Sequence, residues 1–189
     1  VDVDGQDRVH VVWQDYAFTS GRPEIVHECF NPYLDDRDGS AGDDLVMAVV
    51  DDHMISSDNG STSEHPLLVI DNQDRLHVVW CEMSGEAGYD IVYARYDTSG
   101  VLGITEQTVG GSYYPPAMDV DSQGNVHVVW TGYDQTMWSY EIFYSMLDGD
   151  DGTVLIDDTQ LTPGDESSSW YPSVDIGADD QVTVVFEDN

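Results

Sequence analysis

The sequence predicts an all-β chain: a β-propeller of four-stranded antiparallel blades, with about three and a half blades in its 189 residues. Three observations predict it. One stretch comes four times, ending in Trp13, Trp80, Trp130 and Phe186. Those aromatics stand 67, 50 and 56 residues apart, a spacing that marks a bladed or stacked repeat. No stretch shows a sustained helical period with capping residues, so almost no helix is expected.

The third copy serves as template. Tyr114–Asp121 reads as an extended strand a, with Pro115 and Pro116 near its start, where no ladder donor is needed. Ser122–Asn125 is a tight polar turn, with Gly or Asn available for positive φ. Val126–Trp130 is strand b, rich in β-branched residues. Strand c is Tyr140–Met146, matched by Glu24–Phe30 and Tyr89–Tyr96. Its apolar groups fall on both faces, as in a sheet packed between two others. Asp148–Gly152 turns the chain into a weaker strand d, Thr153–Leu161. A polar link ending in Tyr-Pro or His-Pro (Tyr114-Pro115, Tyr171-Pro172, His65-Pro66) leads into each next strand a. The expected units are blade 1 at 1–62, blade 2 at 63–112, blade 3 at 113–168 and a half blade at 169–189. The extra residues of the first unit, Asn31–Asp44, read as a surface loop. The strand count stops after a fourth a–b hairpin, whose edge at Val182–Asp188 is open to pairing. Either the chain is an excerpt of a longer propeller, or other copies complete it through their open blade edges.

Charge narrows the partners. Asp and Glu total 38 against five basic residues, all Arg, for a net charge of -33. Such a surface repels nucleic acid and anionic lipid. No apolar run is long enough to cross a membrane, so direct insertion is not expected. A halophile's solvated surface explains the charge, because at about 1 M salt the Debye length is about 3 Å and self-repulsion is screened. A coat that gathers divalent cations is compatible with it. Two cysteines, Cys29 and Cys81, are too few for a disulfide framework and occupy different repeat positions. They read as two free, part-buried thiols, with a bridge between neighbouring units left open.

Several residues invite a chemical reading. His10, His77 and His127 share one repeat position, which is Thr183 in the fourth copy. Each lies about one blade from the next, too far for shared metal coordination at about 2 Å. They are expected to hydrogen-bond within or between blades. Trp13, Trp80, Trp130 and Phe186 are expected to line the inter-blade cores. Asp2, Asp4, Asp7, Asp119 and Asp121 in the a–b turns, with Asp148 and Asp150 in a c–d turn, suggest calcium, because alternating carboxylates can wrap a hard cation. No copy contains a full calcium loop, and Asp favours such turns for local hydrogen bonding. Glu24, Asp90 and Glu141 open strand c in every full copy. Paired acids suit glycoside hydrolysis, but recurrence in each blade points to turn anchoring. Tyr114, Trp138, Tyr140, Trp170 and Tyr171, with Tyr113, cluster near strand ends and would suit stacking on sugars or a partner, or packing between blades.

The repeated acidic turn followed by His-Val-Val-Trp, with downstream Ile-Val or Ile-Phe in strand c and Leu-Thr before Tyr-Pro, resembles the sialidase-like (BNR-type) β-propeller repeats of secreted and surface proteins, especially large archaeal ones. The resemblance implies bladed all-β architecture, an extracellular setting and, in some members, glycan hydrolysis or lysis. The Asp-box and the sialidase arginine cluster do not map onto this chain, so no catalytic residue is carried over. The reading is a non-catalytic propeller module at a cell surface, acting in structure, adhesion or assembly. A glycan-active enzyme (sialidase-like or a polysaccharide lyase) and a lectin-like glycan-binding module stand as alternatives.

Overall fold

A computed structural model describes residues 1–18, 21–31, 47–83, 88–164 and 167–189, and for 47–49 and 51 the backbone alone. Every regular element among them is a strand. Blade 1 is β1 (Asp2–Val3), β2 (Val9–Asp15), β3 (Glu24–Asn31) and β4 (Met47–Met54). Blade 2 is β5 (Thr62–Ile70), β6 (Arg75–Met83), β7 (Tyr89–Asp97) and β8 (Leu102–Ser112). Blade 3 is β9 (Ala117–Val120), β10 (Val126–Asp134), β11 (Ser139–Leu147) and β12 (Val154–Gln160). The last sheet is the hairpin β13 (Ser169–Ile176) and β14 (Val182–Asp188). Strands follow one another in each sheet and all pairs are antiparallel, as short connections dictate. The first strand of each sheet lies against its counterparts in the neighbouring sheets, so the sheets pack face to face as propeller blades.

The a–b turns explain the recurring Asp. Asp71 N donates to Arg75 O and Asp74 N to Asp71 O, and Asp74 is left-handed at φ 58°. Asp4 to Arg8 and Asp121 to Asn125 repeat this geometry, with Asp7 at φ 59° and Gly124 at φ 86° in the left-handed position. Asp tolerates that region better than most residues, because its short side chain bonds locally.

Proline behaves differently from the sequence expectation. Pro66 and Pro172 lie inside β5 and β13, each at a register shift. The preceding residues, His65 and Tyr171, are left-handed. A bulge removes the need for the missing N–H, so the ladder resumes beyond it. In blade 3 two consecutive prolines remove two donors, and β9 starts only at Ala117, three residues later than the expected Tyr114.

Apolar side chains fill the junctions between blades, because each sheet has apolar groups on both faces. Trp80, Leu76, Val78, Ala94 and Tyr96 pack with Ile25 and Ile55 of blade 1. Trp130, Val126, Val128 and Leu147 pack with Val79, Ile91, Tyr93 and Val109 of blade 2. The position a side chain on Gly110 would take is already filled by the Trp130 ring. Among the described residues the third junction has Val129, Ile142 and Val174 as its buried members. The four repeat aromatics are therefore not equivalent. Trp80 and Trp130 are 0 and 1 % exposed, Trp13 is half-buried, and Phe186 is 42 % exposed. The aromatic faces the preceding blade and also needs its own strand c beside it. Phe186 has β13 as its one ladder partner among the described residues.

Both cysteines are free and fully buried, deeper than the sequence suggested. Burial pushes the Cys81 thiol up to about 12 and raises Cys29 as well. The expected insertion loop, apart from Asn31 itself, lies outside the described residues.

Candidate functional site

The end of the blades opposite the a–b turns carries a cluster of rings at the junction of blade 3 with the last hairpin. Tyr133 and Tyr140 are ladder partners at the far ends of β10 and β11. Trp170 enters from the bulged start of β13, and Tyr113 and Tyr114 come from the link before Pro115. Tyr140 meets Trp170 with ring centroids 4.2 Å apart, Tyr133 at 5.0 Å and Tyr113 at 5.6 Å. Tyr114 contacts Trp170 at 5.4 Å and Tyr171 at 5.2 Å, both edge-to-face. Edge-to-face pairs of this kind lock one another's orientation.

Two rings, Tyr171 of the cluster and Trp138, are turned outward by the backbone. Trp138 has φ 60° and is 80 % exposed, and Tyr171 has φ 50° and is 58 % exposed. A bulky residue in that region costs on the order of 1–3 kcal/mol, which the surroundings must offset. At Trp138 the b–c turn does so: its N–H donates to Asp134 O at 2.8 Å, and the Asp134 carboxylate accepts from Thr136 N at 2.7 Å. At Tyr171 the bulge before Pro172 does so. Trp138 makes no ring contact with the cluster among the described residues.

Beside the cluster lies an open cleft of about 470 Å³. Its aromatic lining is the half-buried ring of Phe143, stacked on buried Trp130 at 6.2 Å and 19° from parallel. Tyr133, Asp134, Asp158 and Gln160 supply polar groups, and Gly132 leaves Phe143 uncovered, because a side chain there would meet its ring. Burial, then the neighbouring Asp157, raises the pKa of Asp158. An aromatic lining rimmed by carboxylate and amide groups suits the flat apolar face and ring hydroxyls of a sugar.

The remaining candidates settle into the framework. Asp71 Oδ1 accepts from the N–H groups of Gln73 and Arg75, and its Oδ2 accepts from His77 Nε2 at 3.1 Å. A carboxylate can only accept, so His77 carries its proton on Nε2, and Nδ1 accepts from the Tyr93 hydroxyl at 2.9 Å. Asp121, His127 and Tyr144 repeat the relay at 3.4 and 2.8 Å. In blade 1 it runs Asp4, His10, His27, at 3.2 and 3.0 Å. The last hairpin has Gly177 and Thr183 at these positions and no relay. Burial acts to raise all three aspartates, but their hydrogen bonds outweigh it and hold them below the ordinary carboxylate range. Burial lowers His10 and His77 despite the carboxylate beside each. Sequence reasoning found the histidines and missed His27, Tyr93 and Tyr144 as their partners. It also missed Tyr133. The available signal was the spacing of 16 or 17 residues from each His to its strand c partner.

The calcium expectation meets no matching ligand set. Asp2 and Asp119 each reach across a junction to a backbone N–H, of Ile70 and Ile176, at 2.7 Å. Asp4 and Asp121 are engaged in their own turns and relays, and Asp7 occupies a left-handed turn position. Asp148 caps its turn by accepting from Asp150 N, and the Asp150 carboxylate pairs with Arg75 of blade 2. Among the described residues no group of three or more His, Cys, Asp or Glu side chains is placed to hold a metal ion. Glu24 and Glu141 are buried at the starts of their c strands, β3 and β11. Glu24 accepts from Ser56 and Ser63, and Glu141 from Ser139 and Thr162. Ser56 and Thr162 in turn accept the N–H of Ile25 and Ile142. These acids therefore brace hydroxyls that anchor neighbouring backbone.

No protein-family model and no curated protein matches the chain. Among solved structures, an endo-arabinase from Bacteroides thetaiotaomicron superposes with a TM-score of 0.55 at 11 % identity, covering 98 % of this chain and 67 % of that one. A protein of unknown function from Dyadobacter fermentans superposes with a TM-score of 0.62 at 12 % identity, covering 99 % of this chain and 60 % of that one. At such identities the likeness speaks for the fold alone. The chain has the β-propeller fold.

Proposed function

We propose that this chain is a non-catalytic, glycan-binding propeller module of a secreted or cell-surface protein, in which the aromatic end of blade 3 and the last hairpin contacts a neutral polysaccharide. One observation carries the reading: two large rings stand in solvent on a left-handed backbone, Tyr171 against the ring cluster and Trp138 in the turn that borders the cleft. Rigid rings stack on sugars with little loss of side-chain freedom. The net charge of -33 disfavours acidic glycans at low salt and leaves neutral ones as the substrate class. That charge, and the resemblance of the repeats to sialidase-like surface propellers, support an extracellular setting in a salty habitat.

The test is a binding panel of neutral and acidic polysaccharides, arabinan included because one structural neighbour is an endo-arabinase. Neutral polymers should retard the protein in affinity electrophoresis. Trp138→Ala should weaken that retardation about tenfold, for a lost stacking contact of about 1.5 kcal/mol, and leave the melting temperature within about 2 °C, because the residue is exposed. Unaltered retardation would remove Trp138 from the site. Release of reducing ends from any of these polymers would replace the binding module by an enzyme.

A further inference from the structure

We propose that His27 and His53 of blade 1 form a binding site for one divalent transition-metal ion of the zinc, copper and nickel type. The relay of blade 1 differs from those of blades 2 and 3. In blades 2 and 3 the relay ends in a tyrosine, Tyr93 or Tyr144, whose hydroxyl donates to the histidine and closes the chain of hydrogen bonds. His27 holds the same place in blade 1, since each of the three lies opposite the residue two beyond its histidine. Asp4 accepts from His10 Nε2, so His10 Nδ1 must accept from His27 Nε2, at 3.0 Å. That fixes the His27 tautomer and turns its Nδ1 lone pair outward.

Among the described residues this lone pair has no hydrogen-bond partner, although His27 is 1 % exposed. A buried acceptor left empty is costly, and the cost vanishes when the atom is a ligand. The second imidazole stands beside it. His53 on β4 is the ladder partner of His27 on β3, so both side chains leave the same face of the sheet. The c–d turn of blade 2 closes over them with Gly100, at φ 80°. A Cβ there would lie 3.5 Å from His53 Cδ2 and 3.7 Å from His27 Nδ1, so both rings come within contact distance of one point. His53 itself is exposed and borders a cleft of about 640 Å³ with Gly100, Tyr96 and Glu106, which gives an ion its way in.

His27 Nε2 is committed to His10, which leaves Nδ1 as the nitrogen able to coordinate. An imidazole oriented through its other nitrogen by a hydrogen-bonded carboxylate chain is the usual support of a metal-ligating histidine. Two imidazoles select zinc, copper or nickel over calcium or magnesium, which seek oxygen.

The experiment is calorimetric titration of the chain with Zn²⁺ in an excess of Mg²⁺, which occupies the surface carboxylates. One Zn²⁺ per chain should bind and raise the melting temperature. His27→Tyr, which installs the residue of the other two relays, and His53→Gln should each weaken binding about tenfold or more and abolish the thermal shift. His53 is exposed on β4, so its variant tests the site even if His27→Tyr fails to fold. Absence of Zn²⁺ binding by the wild-type chain, or undiminished binding by a folded variant of either residue, overturns the proposal.

Discussion

The junction between blades 2 and 3 and the junction between blade 3 and the last hairpin are built from the same repeat and held by different forces. The first buries Trp130 against Tyr93, Val109 and Ile91, and has apolar Val69 where its neighbours have Asp2 and Asp119. Three side chains of blade 2 also grip one turn of blade 3: Arg75 pairs with Asp150, Arg95 donates to Gly149 O, and Gln107 donates to Gly152 O. The second has a thin core and polar stitches instead. Asp119 accepts Ile176 N, and Asp180 accepts both the N–H and the hydroxyl of Ser122. Its aromatic residues gather at the loop end, where several stay in solvent. Apolar burial scales with area and depends little on direction, so it secures a junction. Directional bonds and exposed rings leave surface free for a ligand.

Trp130→Ala should give the largest effect. It empties the centre of the apolar junction and should cost about 3–5 kcal/mol in a denaturant titration. A near-neutral midpoint would mean that this core does not carry the fold.

His77→Ala comes next, at about 2–3 kcal/mol, because it strips a partner from buried Asp71 and from the Tyr93 hydroxyl. The same relay sets a pH dependence. The folded His77 pKa lies below its ordinary 6.5 because burial penalises the imidazolium. Its contribution is therefore complete above pH 6.5 and is lost as the pH falls below it. Asp71, depressed below its ordinary 3.8, adds a second loss below that pH. Denaturant midpoints measured from pH 8 downward should show the first decline in the wild type and a shallower one in His77→Ala; parallel curves would exclude His77 as its source.

Asp119→Ala should cost about 1 kcal/mol, the worth of a part-buried stitch, and should be felt as faster hydrogen exchange in β13 and β14 with β6 and β7 unchanged. Exchange that rises equally in all four strands would show that the two junctions are not separable. Smallest of all, Phe186→Ala should stay within about 1 kcal/mol, because the ring is already 42 % exposed. An effect as large as that of Trp130→Ala would erase the contrast between the junctions.

Much of the architecture is legible in the residues themselves. Val126-His-Val-Val-Trp130 and its counterparts mark strand b because β-branched and aromatic side chains favour a pleated surface. The Asp-rich turns announce hairpins because Asp bonds its own backbone. The site was only partly legible. Tyr114, Tyr140, Trp170 and Tyr171 stood out as rings near strand ends, and the fold does bring them together. Tyr133 did not stand out, because nothing local says that it faces Tyr140 across the ladder. Trp138 was visible as a residue, but its separation from the cluster follows from a left-handed turn that no propensity favours for tryptophan.

Strands, turns and repeat are set by contacts between residues close along the chain and by a pattern that recurs in every copy. Which member of each repeated set is buried, paired or free depends on the packing of the blades. Phe186 lies exposed where Trp130 is enclosed, and among the described residues His27 ends its relay with an unpaired Nδ1 where Tyr93 closes it with its hydroxyl. Those differences come from neighbouring blades and adjacent strands, and long-range packing leaves no periodic trace in the residues it acts upon.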